Sequence, residues 1–509
     1  MTSFAEAFRL YEARHFAEAE AIWRLLAQRD PTSVEAWSGI GHAAAARLEH
    51  GTAIEALRRA LSAGTPDPAL RVNLARSLFA LGHVSAAMAE NDLAMRAGDA
   101  TVRDKALSNA MIMAPGDPAL DNAAILRIRQ RWASAEAASL RPLHARSPRG
   151  AKLRLGYYGS FFDNPNWMKM YMGVLNAHDR TRFEVNLIVD GAPPSAGAGY
   201  CDHPDDRIWE VTGLPNAELA GHIAEAGIDV LVDLQGTSHM ARFALPLHRA
   251  APVQVAWNGM YGTTGMSGID ALIGDRWTIP PEEEAFCTEP VRRVTATYLP
   301  FQVFYPTPPV VPPPCLARGH VTFGSLGSAY KLTPLTIVVW SAVLRACPGS
   351  RRILRNRALD HASNRADLLG RFAAEGIATE RVTLLGGASH EDFLATYGGI
   401  DIALDTFPYN GGTTTAEALW QGVPLLTFNG DRWAGRTSRS LLMAAGFAED
   451  VAADIPGLVA RATELASDRA AMAERRARQR EAVAASPACD PAALCRELEA
   501  IYDELTARV

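Results

Sequence analysis

The sequence predicts a helical repeat array followed by two doubly wound α/β domains. Three observations predict it. Small residues recur every 34 positions through the first part of the chain, short apolar strands then alternate with helical stretches, and a proline-rich passage divides that alternation in two. At 509 residues the chain is too long for one core, and a prior of roughly 100–200 residues per domain allows about three units.

The repeats come first. Ala7, Gly41 and Ala75 lie in one register, and Ala19, Ala53 and Ala87 in another. This is the tetratricopeptide period, in which a small residue on each helix lets paired antiparallel helices approach closely. Leu10, Ala44 and Leu78 keep the register on the first helix of each unit, and Trp23, Leu57 and Asn91 on the second. Asp30-Pro31, Thr65-Pro66 and Gly98-Asp99 punctuate successive units. A degenerate fourth unit runs from Ala106 to Pro118, and Ile125 to Trp132 reads as a helix leading onward. The array is assigned to residues 1–135, and arrays of this kind commonly hold an extended peptide on their concave face.

The alternating pattern begins after Arg149-Gly150. Strands are predicted at Leu153–Gly159, Val185–Asp190, Val230–Leu234, Val253–Trp257 and Ala271–Gly274, giving a first lobe over residues 150–305. Prolines 306, 308, 309, 312, 313 and 314 make residues 306–318 a semi-rigid spacer. A second series follows at His320–Leu326, Arg352–Leu354, Val382–Leu385, Ile400–Leu404 and Pro424–Phe428, within a lobe spanning residues 319–490. Residues 491–509 read as one amphipathic helix. Two such lobes facing each other place a ligand between the carboxyl ends of their strands.

Bulk composition narrows the function. A content of 48% hydrophobic and 21% charged residues is that of a globular protein. A net charge of −6 offers no general attraction to phosphate backbones, so no nucleic-acid partner is expected. Met1 to Leu10 carries no basic-then-apolar leader, and no apolar run is long enough to span a bilayer. The expectation is a cytoplasmic protein without a membrane partner. The six cysteines are scattered without zinc-site or disulfide spacing, and are expected to be reduced.

The chemistry should sit at Leu404 to Trp420. There a buried strand ends at Asp405, Gly411 and Gly412 allow close backbone approach, and Thr413, Thr414 and Thr415 open a helix. Free amides and the helix dipole at such a start attract a diphosphate, to which the threonine hydroxyls add donors. Glu417, one turn into the helix, is placed to accept from ribose hydroxyls. In the same lobe, Phe323 to Pro334 sets Lys331 just after a strand and loop, where an ammonium would neutralise a departing diphosphate.

With Gly422-Val423-Pro424 and Gly430-Asp431-Arg432, this stretch resembles the donor-binding region of the O-linked N-acetylglucosamine transferase family, including its bacterial and SPINDLY-like members. Ala251 to Trp257, Gly262-Thr263-Thr264-Gly265 and Phe323 to Lys331 support the resemblance, and together with the repeats they cover nearly the whole chain. The resemblance implies a GT-B fold of two Rossmann-like lobes. It also implies inverting, metal-independent transfer from a UDP-sugar, by default UDP-N-acetylglucosamine, to serine or threonine of a polypeptide. Carried over by position, Lys331 contacts the diphosphate, Thr413 and Thr414 the phosphates, Glu417 the ribose and His390 the base. Ser328, Gly411, Gly412 and Thr415 complete the expected donor site.

Two departures stand out. The family's histidine after the first catalytic-lobe strand is missing from Phe162-Asp163-Asn164-Pro165-Asn166-Trp167, and a second is missing from Asp233-Leu234-Gln235-Gly236-Thr237-Ser238. Asp163, Asp233 and His239 are the remaining candidate bases; a donor phosphate oxygen could take the proton instead. No Asp-x-Asp pair occurs, so neither metal nor other cofactor is expected, and the leaving charge falls to Lys331 and the helix start. Three other readings stay open: a flagellin glycosyltransferase using a CMP-nonulosonic acid or another nucleotide sugar, a catalytically decayed repeat scaffold that binds protein partners, and a nucleotide-sugar epimerase.

Overall fold

The computed structural model describes residues 3–64, 67–143, 150–257, 259 and 261–508. The Thr65-Pro66 turn, Arg149 and the terminal residues 1, 2 and 509 lie outside the described residues. Eight helices open the chain: α1 Phe4–Glu12, α2 Phe16–Arg29, α3 Val34–Ala46, α4 His50–Ala63, α5 Pro68–Ala80, α6 Val84–Ala97, α7 Ala100–Met113 and α8 Asn122–Ala137. Ala7, Ala19, Ala53, Ala75 and Ala87 are fully buried. A Cβ on Gly41 would sit 2.6 Å from Leu57 Cγ, which shows why the repeat register calls for its smallest residue where α3 crosses α4. Ser33, Asp67, Asp99 and Asp121 cap α3, α5, α7 and α8 by accepting from first-turn amides.

Among the described residues, thirteen strands make two sheets: β1 Leu153–Gly159, β2 Phe183–Val189, β3 Arg207–Glu210, β4 Val230–Asp233, β5 Val253–Ala256, β6 Ala271–Asp275 and β7 Val291–Val294; then β8 Thr322–Ser325, β9 Arg351–Arg355, β10 Val382–Leu385, β11 Ile402–Leu404, β12 Leu425–Phe428 and β13 Val451–Ala452. The first sheet runs β3-β2-β1-β4-β5-β6-β7 and the second β10-β9-β8-β11-β12-β13, with every recorded pairing parallel. Both are doubly wound, reversing direction between β1 and β4 in one lobe and between β8 and β11 in the other. The central strands β1, β4, β5, β8 and β11 are buried along most of their length because both faces are covered. The strands that periodicity misses are β3, β7 and β13. They lie at sheet edges, are short, and carry charge or exposure, as in the Val291-Arg292-Arg293-Val294 run.

The units are not beads on a string. One continuous apolar cluster joins Met111 and Trp132 of the array to Tyr157 and Trp257 of the first lobe, Ala416 and Leu419 of the second, and Leu498 and Tyr502 near the end of the chain. The final helix, Pro491–Thr506, packs on the first lobe, where Glu499 Oε1 lies 2.9 Å from His178 Nδ1 and Tyr502 lies beside Tyr157. The array is docked on the second lobe: Gly51 N donates to Asn364 Oδ1 at 2.9 Å, His83 Nε2 lies 2.8 Å from Asp367 Oδ1, and Phe79 stacks on Tyr330 at 5.3 Å. Arg432 of the Gly430-Asp431-Arg432 motif reaches the other way, donating to the Asp117 and Leu120 carbonyls at 2.8 and 2.7 Å. No helix among the described residues is long and apolar enough to cross a membrane.

Candidate active site

A cavity of about 380 Å³ lies where the switch points of the two sheets face each other. Phe161 and Trp167 follow β1, Thr237 and Ser238 follow β4, and Tyr261 follows β5. From the other lobe, Gly327, Ser328, Tyr330 and Lys331 follow β8, and Tyr409, Gly412, Thr413 and Thr414 follow β11. This is the position that doubly wound sheets leave open for a ligand. The array closes the remaining side with Phe79, Ile112, Pro115, Gly116 and Arg129.

The loop after β11 is held from within. Asp405 Oδ1 accepts from the amides of Thr406 and Gly411, both at 2.9 Å, and Oδ2 accepts from Thr427 Oγ1 at 2.9 Å. Burial nevertheless pushes the Asp405 carboxyl upward. Thr336 Oγ1 both receives the Phe407 amide and donates to the Phe407 carbonyl, while Asn410 Nδ2 donates to the Thr406 carbonyl. The loop therefore delivers the helix Thr413–Trp420 in one orientation. No side chain caps that helix, because Gly412 stands at the capping position. A Cβ on Gly411 would sit 2.6 and 2.7 Å from the Thr415 and Thr414 hydroxyls, so a larger residue there would force both threonine side chains to move. Thr413 and Thr414 border the cavity half-buried, whereas Thr415 is buried and bonded to Ser438 Oγ at 2.8 Å.

Lys331 sits beside this helix start, on the same lobe. Its ammonium donates to the Asn410 carbonyl at 2.6 Å and lies 4.2 Å from the Tyr409 ring centre. Desolvation pushes its pKa down to about 8, with Asp405 opposing. It is still charged at neutral pH.

Glu417 lies one turn further in and is buried, and its partner is one that sequence reasoning missed. Lys169, in the loop beyond β1 of the opposite lobe, donates to Glu417 Oε1 at 2.6 Å and to Tyr305 Oη at 3.2 Å, and both charged side chains are at most 3% exposed. Burial lowers the Lys169 pKa while Glu417 raises it. Glu417 Oε2 and His390 Nε2 are buried without a hydrogen-bond partner among the described residues. His390 Nε2 lies 3.8 Å from Glu417 Oε1, its ring edge-on to Tyr305 at 4.9 Å, and burial lowers its pKa. Two unsatisfied polar atoms thus belong to neighbouring side chains close to Tyr305, at the end of the first lobe. The sequence held no signal for the Lys169–Glu417 pair, because 248 positions separate its members.

The three candidate bases are placed elsewhere; none lines the cavity. Asp163 is exposed. Asp233 is buried and accepts from the Gln235 and Gly236 amides at 2.8 and 2.9 Å, shaping the turn that carries Thr237 and Ser238, with burial raising its pKa to about 6. His239 Nε2 lies 3.1 Å from Asp190 Oδ2, and that carboxylate also receives Arg242.

Two doubly wound lobes enclosing such a cavity, with a cation and an uncapped helix start on one of them, define the GT-B class of glycosyltransferase. The chain belongs to glycosyl transferase family 41, whose model matches residues 137–300 and 315–498. It is 35% identical over 306 residues to the probable UDP-N-acetylglucosamine–peptide N-acetylglucosaminyltransferase SPINDLY of Solanum lycopersicum, covering 59% of this chain and 32% of that protein. The protein of that name from Arabidopsis thaliana is 32% identical over 360 residues, covering 69% and 39%. The chain thus spans about a third of the length of these curated relatives. A solved structure of a Thermobaculum terrenum O-GlcNAc transferase point mutant superposes with a TM-score of 0.80 at 29% identity, covering 99% of this chain and 96% of that one.

Proposed function

We propose that the chain transfers a sugar from a nucleotide diphosphate donor, by default UDP-N-acetylglucosamine, to serine or threonine hydroxyls of a polypeptide. One observation carries the reading: the Lys331 ammonium and the uncapped start at Thr413 border the same cavity at the switch point of the second lobe. A diphosphate seated there receives charge-assisted hydrogen bonds from both. Glu417 and His390 lie outside the cavity lining, and their assignment to the ribose and base rests on the family resemblance together with the unpartnered Glu417 Oε2 and His390 Nε2. The names of the relatives, which specify a UDP-N-acetylglucosamine donor and a peptide acceptor, agree with this assignment.

In the proposed reaction the acceptor oxygen attacks the anomeric carbon from the face opposite the diphosphate. The bond from that carbon to the phosphate oxygen breaks, the new glycosidic bond forms with inversion, and the nucleoside diphosphate leaves on Lys331 and the helix amides. Because Asp163, Asp233 and His239 lie outside the cavity lining, the hydroxyl proton passes to a donor phosphate oxygen, and no metal takes part. Intact-mass comparison of cellular proteins with and without the gene tests the reading: the expected result is loss of a sugar-sized increment on at least one protein. Calorimetric titration with UDP, GDP and CMP names the base, and failure of all three to bind would end the donor assignment.

A further inference from the structure

Arg129 projects from α8 of the array into the cavity wall. Its side chain is wholly buried, and one guanidinium nitrogen, Nη1, donates to the Thr263 carbonyl. Nε and Nη2 have no hydrogen-bond partner among the described residues. A buried guanidinium with two of its three nitrogens unpartnered carries a desolvation penalty unless something completes it. The nearest acid does not: Glu289 is committed to Thr263 Oγ1 at 2.7 Å, to the Thr264 amide at 2.6 Å and to the Thr264 hydroxyl.

The lining of the cavity holds two cations, Arg129 and Lys331, and no carboxylate. Tyr409 neighbours both: its ring centre is 4.2 Å from Lys331 Nζ, and its phenol and the Arg129 guanidinium act on each other electrostatically. The guanidinium keeps its charge at neutral pH, since burial lowers its pKa only to about 10. Its placement is built in. The carbonyl of Thr263 in the Gly262-Thr263-Thr264-Gly265 segment anchors it, and Gly265 lets α8 approach so closely that a Cβ there would sit 2.5 Å from the Arg129 carbonyl carbon.

We propose that Arg129 is an anion-binding residue of this cavity and that its ligand is the sugar-bearing phosphate of the donor, so that the helical array and the second lobe share the charge of the leaving group. This rests on the reading that a nucleotide sugar occupies the cavity. It makes the array part of the active site as well as a surface for polypeptide.

Calorimetry on the full chain tests it with uridine, UDP and inorganic diphosphate as probes, thermal melting serving as the control for folding. Arg129→Gln is expected to weaken UDP and diphosphate by at least about tenfold and leave uridine unchanged, with Arg129→Lys losing less. UDP and diphosphate affinities within twofold of the parent in folded Arg129→Gln would overturn the proposal. So would a variant that keeps UDP but loses UDP-glucuronate selectively, since Arg129 would then read a carboxylate on the sugar. Lys331→Ala separates this proposal from the donor reading. If Lys331→Ala weakens UDP and Arg129→Gln does not, only the Arg129 assignment fails; if the parent binds none of the probes, the donor reading fails. Should the variants not fold, a structure of the parental chain with UDP decides. A phosphate oxygen within about 3.2 Å of Nε or Nη2 supports the assignment, and a phosphate seated only on Lys331 refutes it.

Discussion

Charge placed in a dry wall sets the behaviour of single residues here. Lys331 has its pKa brought down to about 8, so it is protonated through neutrality and loses its proton as pH rises past that value. UDP affinity is expected to fall as pH rises above about 8, and in Lys331→Arg that fall should vanish because a guanidinium stays charged. Titration calorimetry across that range checks it. Lys331→Ala should leave folding intact and lower transfer at least tenfold, a barrier change of about 1.4 kcal/mol or more, measured as kcat/KM. Lys169 behaves differently, because its role is to keep a buried carboxylate paired. Lys169→Met is expected to cost about 3–5 kcal/mol in denaturant unfolding, with Lys169→Met/Glu417→Met recovering much of it, since the second change removes the stranded charge. Lys331 was legible in the sequence because a strand, a loop and a lysine are local. Lys169 and Arg129 were not, because each acquires its meaning from a partner in another folded unit.

At the scale of elements, patterns governed by local sterics and two-sided burial could be read directly. The buried strands β1, β4, β5 and β10 lie within a residue of their expected bounds, and the repeat register reappears in second helices that begin at Phe16, His50 and Val84, 34 residues apart. Edge strands and the internal bracing of the 405–412 loop could not, since hydrogen bonds such as Thr336 to Phe407 depend on tertiary contact. The Gly262-Thr263-Thr264-Gly265 segment was legible only as a resemblance; the structure gives it a physical task as the surface on which α8 lies. Gly265 has φ +79° and no room for a Cβ. Gly265→Ala should therefore destabilise the chain by at least about 1 kcal/mol in denaturant unfolding and, by lifting α8, weaken UDP binding in parallel. A variant with parental stability would show that α8 is not seated there as described.

On the scale of the whole molecule, the array is part of the catalytic body. Phe79 covers Tyr330, Arg432 holds the Asp117 and Leu120 carbonyls, and array side chains form one wall of the cavity. Removing residues 1–100 should abolish glycosylation of polypeptide and also lower the melting temperature, since it uncovers Tyr330 and the faces of Asn364 and Asp367. Intact protein glycosylation by the truncated chain would count against the first expectation, and an unchanged melting temperature against the second. An epimerase would keep its activity on a small substrate after the same deletion.

The seating of the helix Pro491–Thr506 against the lobe formed by residues 153–294 has a consequence during synthesis. A nascent chain that has already extruded all seven strands of that lobe still lacks the side chains of Leu498, Glu499 and Tyr502 that seal its interior. The ribosome must release the chain as far as Tyr502 before the first lobe is watertight, so a chain that stops before Pro491 should emerge with a competent-looking second lobe and an unfinished first one.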